Sequence, residues 1–276
     1  MAKSRHGRVV VDIAAQANVA EGIWERLEPI GNHDWVLPRN KSILEAIIGK
    51  KSTHVIYSII DSHEQNRRMR EIISRQLRNA PVEKKQKLIR WIIHDWGRIT
   101  RGRRTSIEWA YELNSFSRAE IKKFIERHHK SRISSWSKVL AFADQDHDAI
   151  YDSRTSVSLN VIFDEMDVPY RFYMPQSRNI DLPPVISHVQ QRVQASFRGS
   201  ARNRYRTYLD YIRLLEAIKE RCSVVDITEI EMRLFAHAEI FARRYAKKYG
   251  IILPEENKSK LQMMMDFKGN ETRTQS

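Results

Sequence analysis

Apolar residues recur at three- and four-residue spacings along most of this chain, and only nine glycines and eight prolines interrupt its 276 positions. That period puts one apolar stripe on a helix, whereas a half-buried strand needs strict alternation. The fold class expected is all-α, as a mostly helical single domain or two closely packed helical subdomains. It would occupy residues 1–253, followed by a polar tail over 254–276. The length is enough to bury a sizeable core. The spacing predicts helices over 43–49, 55–79 and 82–95, the second with Ile56, Ile59, Ile60, Met69, Ile72, Ile73 and Leu77 inward. Further helices are predicted over 118–130, 135–143, from Asp152 onward, and over 186–197, 202–221 and 227–249, the last stopped by Gly250. Residues 167–185 carry Pro169, Pro175, Pro183 and Pro184 and read as an ordered irregular segment.

Charge narrows the partners. The formal net charge is +14 and the pI about 9.9, a long-range field that favours polyanions, nucleic acid first. Residues 67–104 hold thirteen Lys or Arg against Glu71, Glu83 and Asp95, most of the excess. Within them Arg98, Arg101, Arg103 and Arg104 flank Gly97 and Gly102. This is a plausible phosphate clamp, because glycine lets backbone amides approach an anion and arginine donates in a fork. A second group, Arg198, Arg202, Arg204 and Arg206, is interleaved with Phe197 and Tyr205. An ordinary solvated basic face is the alternative for both. Cys222 is the single cysteine, so an internal disulfide and a thiolate-rich metal site are both excluded. The run Val9–Val11 is stopped by Asp12, and no apolar run reaches the ~18 residues of a membrane span. A cytoplasmic protein without membrane attachment is expected. His128, His129, Asp146 and His147 suggest a metal only weakly, since adjacent histidines point to different sides of a helix. No metal and no cofactor are expected.

The most informative stretch is Ser135-Trp136-Ser137-Lys138-Val139-Leu140, followed by Ile150-Tyr151-Asp152-Ser153-Arg154. Ser117-Arg118-Ala119-Glu120 reads as a capping box ahead of the buried stripe Ile121, Phe124, Ile125. The result is a helix, a short turn, a second helix opening near Lys138 and an aspartate at the start of a third. Over about residues 117–160 this pattern resembles the helix-hairpin-helix DNA glycosylases, in particular their divergent 8-oxoguanine-glycosylase-like branch. The resemblance implies a hairpin that grips DNA phosphates. Ser134, Ser135 and Ser137 would offer hydroxyls where the family usually has glycines, with Arg154 nearby. It also implies catalytic roles for Asp152 and Lys138. Breaking an N-glycosidic bond builds positive charge on the sugar, which a fixed carboxylate stabilises. A lysine amine can attack C1′ and form a Schiff base. Two plainer readings stand beside these. Asp152 would be a helix N-cap; because asparagine also caps well, Asp152→Asn is expected to leave folding nearly unchanged and to cost a large part of any catalysis. Lys138 would be a phosphate contact.

Tyr170, Phe172 and Tyr173 could stack on an extruded base, and Arg178 and Asn179 could read its edges. They could equally be local core. Trp96 and Trp136 read as core. The function expected is excision of a modified or damaged DNA base to leave an abasic site, with defence against phage carrying modified DNA as one setting. The alternative is a non-catalytic nucleic-acid-binding protein on the same helices.

Overall fold

A computed structural model of the chain describes residues 17–29, 41–99, 120, 123–124, 127, 132–192 and 201–254. Among these the secondary structure is helical, with no strand. The α-helices are α1 Ala17–Leu27, α2 Lys41–Ile48, α3 Lys50–Tyr57, α4 Ser62–Asn79, α5 Val82–Arg90, α6 Ile133–Ala143, α7 Ser153–Glu165, α8 Leu182–Arg192, α9 Ala201–Cys222, α10 Ile227–Ala236 and α11 Ala238–Tyr249. A π-helical turn, Trp91–Trp96, continues α5.

Two helices form the centre. In α7 every residue from Thr155 to Asp164 is buried, and α1, α8, α10 and α11 surround it. A helix buried all round cannot carry a polar face. The polar residues of α7 therefore bond inward. Ser158 Oγ donates to the Leu234 carbonyl at 2.6 Å, and the Asn160 amide exchanges bonds of 2.9 and 2.7 Å with the backbone of Phe172. In α6 every residue from Ser135 to Ala143 is buried, against α4 and the π-turn. Trp136 lies edge-on to Tyr208 of α9, with ring centres 4.8 Å apart. Trp96 lies edge-on to Phe142 at 4.9 Å. Trp136 is fully buried in the core, as expected, whereas Trp96 is partly exposed and packs against it.

Several boundaries differ from the sequence reading. The helix expected over 55–79 is broken at 58–61, because Asp61 caps α4 by accepting from the Glu64 amide at 2.7 Å. The break turns Ile60, expected inward, fully to solvent. The helix expected over 227–249 breaks at His237. Pro183 and Pro184 do not interrupt structure. They sit in the first turn of α8, where a missing N–H costs nothing. Gly250 ends α11 in a left-handed conformation, φ 65°. No helix among the described residues is long and apolar enough to cross a membrane. The hairpin's first helix lies mostly outside the described residues; Glu120, Lys123, Phe124 and Arg127 are helical, and Phe124 is buried.

Candidate functional site

Lys138 and Asp152 meet at the junction of the two central helices. Lys138 Nζ lies 3.0 Å from Asp152 Oδ2, and the two side chains are only 6% and 13% exposed. Lys138 is not at the opening of its helix, as expected, but in the second turn of α6. So buried an ammonium is poorly placed to hold a phosphate on the surface.

The two oxygens of Asp152 divide their work. Oδ1 accepts from the backbone amides of Arg154, at 2.9 Å, and Thr155, at 3.4 Å. Thr155 Oγ1 in turn accepts from the Asp152 amide at 3.0 Å, which completes a capping box. Oδ2 takes Lys138. Asp152 is therefore a helix N-cap and an ion-pair partner in one geometry.

A second pair holds the first in register. Ser137 Oγ bridges the backbone N–H and carbonyl of Tyr151 at 3.1 Å each. Residues 137 and 151 are thus joined beside 138 and 152. The Tyr151 hydroxyl donates to the Tyr173 carbonyl, and Tyr211 donates to the Ile150 carbonyl at 3.0 Å. Burial holds both phenols well above their ordinary pKa, so they act as neutral donors that clamp the approach to Asp152. On the other side, the π-turn presses Gly97 against the lysine stem. A Cβ on Gly97 would lie 3.0 Å from Lys138 Cδ and 2.8 Å from the Ile92 and Ile93 carbonyl oxygens. None of Ser137, Tyr211 or Gly97 was singled out for these roles from sequence. The equal 14-residue spacing of 137/151 and 138/152 was the available signal.

The remaining candidates are placed as follows. Ser134 is half-buried, Ser135 is buried, and Ser137 is fully buried with its hydroxyl committed to Tyr151. Ser137 is therefore an internal strut and not the exposed hydroxyl expected. Arg154 is ion-paired with Glu239 of α11 and lies over Phe235 at 4.8 Å. Asn179 Nδ2 donates to the same Glu239 at 2.6 Å, and its Oδ1 accepts from the Asp181 amide at 2.9 Å. Both ends of the Asn179 amide are thus engaged within the protein. Arg178 is exposed and donates to the Arg98 carbonyl, joining the irregular segment to the end of the π-turn. Phe172 is fully buried, edge to ring with Tyr170 at 5.0 Å, and belongs to the core. Tyr170 and Tyr173 are partly exposed. Arg98 is exposed with a left-handed φ of 50°; Arg101, Arg103 and Arg104 lie outside the described residues. So do His128, His129, Phe197, Arg198 and residues 255–276, as do the side chains of Arg202, Arg204 and Tyr205. His147 Nδ1 sits 3.0 Å from Asp144 Oδ1 at the surface.

The charge of residues 67–104 is partly spent internally. Arg67 pairs with Glu64 at 2.9 Å, Arg68 with Glu71 at 2.6 Å, and buried Arg70 with Glu231 at 2.6 Å. A groove of about 450 Å³ beside α4 is lined by Arg67, Arg68, Arg75 and Arg78, but also by Glu71, Asp144, Asp146 and Asp226. The four arginines and four carboxylates of this groove balance in charge.

In comparisons with known proteins, no family model, no curated protein and no solved structure matches this chain.

Proposed function

We propose that this protein is a DNA N-glycosylase of the helix-hairpin-helix type, acting on a modified or damaged base and leaving an abasic site. The observation that carries the reading is the Lys138–Asp152 pair, an amine and a carboxylate 3.0 Å apart and shielded from water at a helix N-terminus. A buried ion pair is a weak device for stability, and an apolar pair of the same volume would serve the fold as well. Its value is chemical. Asp152 takes a proton from the Lys138 ammonium, the neutral amine attacks C1′ of an extruded nucleotide, and the base departs with its bonding electron pair and takes that proton from Asp152, which is a carboxylate again. The same carboxylate faces the positive charge that develops on the sugar. Asp152 keeps its orientation throughout, because its second oxygen is held by two backbone amides.

The net charge of +14 supports a nucleic-acid partner, with contacts that weaken as salt displaces counterions. Tyr170 and Tyr173, partly exposed, and Arg178, exposed, are the side chains offered to such an extruded modified base, including those of phage DNA. The deciding experiment incubates the protein with a panel of genomic DNAs, including modified phage DNA, and measures released bases by mass spectrometry. Borohydride should trap a protein–DNA adduct that Lys138→Gln abolishes. Base release with no adduct would leave Asp152 activating water. Salt-sensitive DNA binding with no base release from any substrate would favour the non-catalytic alternative.

A further inference from the structure

A second polar cluster lies at the far end of α7. Asp164 and Asp152 are twelve residues apart on this helix, about 18 Å at a 1.5 Å rise per residue. Asp164 is 5% exposed and receives three cations. Arg171 and Arg192 each reach its Oδ1 at 3.2 Å, and Lys248 reaches Oδ2 at 2.9 Å. The Tyr249 hydroxyl adds a bond of 2.7 Å to Oδ2. These partners hold the Asp164 carboxyl below its ordinary range despite the opposing effect of burial. The neighbouring carboxylate, Glu165, is engaged elsewhere, with Arg244 at 3.0 Å and Arg26 at 3.6 Å.

Three cations on one carboxylate leave two positive charges uncompensated within a few ångströms, an arrangement that costs free energy until an anion joins it. The cations are also pre-aimed. Arg192 lies over the Tyr249 ring at 4.4 Å and Lys248 at 5.1 Å, while Arg171 is fixed by the Val168 and Tyr170 carbonyls. A cavity of about 160 Å³ opens among Asp164, Pro169, Arg171, Val189, Arg192 and Tyr245, enough for a tetrahedral oxyanion and some water. Arg192 and Lys248 are each 47% exposed and keep donors beyond those used on Asp164.

We propose that this cavity binds a phosphate dianion, either inorganic or as a terminal phosphomonoester, with Arg192, which lines it, as the principal donor and with Arg171 and Lys248 adding positive charge around Asp164. The site is independent of the glycosylase reading, since it shares no residue with the Lys138–Asp152 pair. The test uses the full chain and thermal melting in inorganic phosphate against sodium chloride of equal ionic strength. At tenfold excess over its dissociation constant, phosphate should raise the melting temperature by about 2–3 °C. Arg192→Gln with Lys248→Gln, both half-exposed, should fold normally and lose that rise. Asp164→Asn removes the competing anion and should increase the phosphate response, where it folds. A 5′-phosphorylated dinucleotide compared with its unphosphorylated form separates a terminal phosphate from the free ion. Equal melting of the parent in phosphate, phosphorylated dinucleotide and matched chloride overturns the proposal. So does a response that the double variant retains.

Discussion

Asp152→Asn tests whether the central pair is as tightly coupled as its geometry implies. Asparagine keeps the oxygen that accepts from the Arg154 and Thr155 amides, so the cap survives. It removes the anion 3.0 Å from Lys138 Nζ. At an effective dielectric near 20, that attraction is about 5 kcal/mol before desolvation is counted. Removing one partner of a buried pair typically costs about 3–5 kcal/mol, because the other charge stays uncompensated. Here the lysine can lose its proton or turn its stem outward, so a net loss of about 2–4 kcal/mol is expected. For a chain of this size that is a fall in melting temperature of roughly 3–7 °C. The expectation from the sequence, nearly unchanged folding, is therefore revised. Adding Lys138→Met should recover most of the loss, because neither charge then remains. The assay is thermal melting of the parent, the single variant and the double variant, with base release measured on the same preparations. If the single variant melts within about a degree of the parent, the pair is not a fixed feature of the fold, and the mechanism drawn from it fails.

Burial raises the Asp210 carboxyl from its ordinary 3.8 to about 6. The fold therefore prefers the protonated form, and its contribution is complete below about pH 4 and lost as pH rises through about 6. Asp210→Asn should be neutral near pH 4 and stabilise by up to about 3 kcal/mol at pH 7; melting curves that show no pH-dependent difference would contradict this. Gly97→Ala places a Cβ 2.8 Å from two fixed carbonyl oxygens, so it should cost about 1–3 kcal/mol and shift Lys138, lowering any base release more than it lowers DNA binding. Arg70→Met leaves Glu231, fully buried at 0% exposure, without its cation, and should cost about 3–5 kcal/mol in urea unfolding. Unfolding at the parental midpoint would show that the Glu231 charge is compensated elsewhere.

Helix existence and capping were legible in the sequence because both are local. An apolar stripe repeats every three to four residues, and a cap bonds an amide two or three residues away. The helix begun by Asp152 and the left-handed stop at Gly250 were read from such signals. The break before α4 was there to be read as Asp61-x-x-Glu64, but the apolar residues running through it masked the signal. The all-helical character and the candidate residues Lys138 and Asp152 were likewise available from the chain alone. Only tertiary structure decided which groups meet. The contact of Lys138 with Asp152 depends on how the loop after α6 folds back to set the cap of α7 beside the second turn of α6, and no periodicity records that. The fates of Ser137, Arg154 and Asn179 depend on partners 14, 85 and 60 residues away. A run of positive charge names few of its partners, so the neutral balance of the groove beside α4 came mostly from Asp144, Asp146 and Asp226 on other segments. The same holds for Asp164, an unremarked residue within an apolar run, which becomes the meeting point of three cations because α8, α11 and the irregular segment converge on the end of α7.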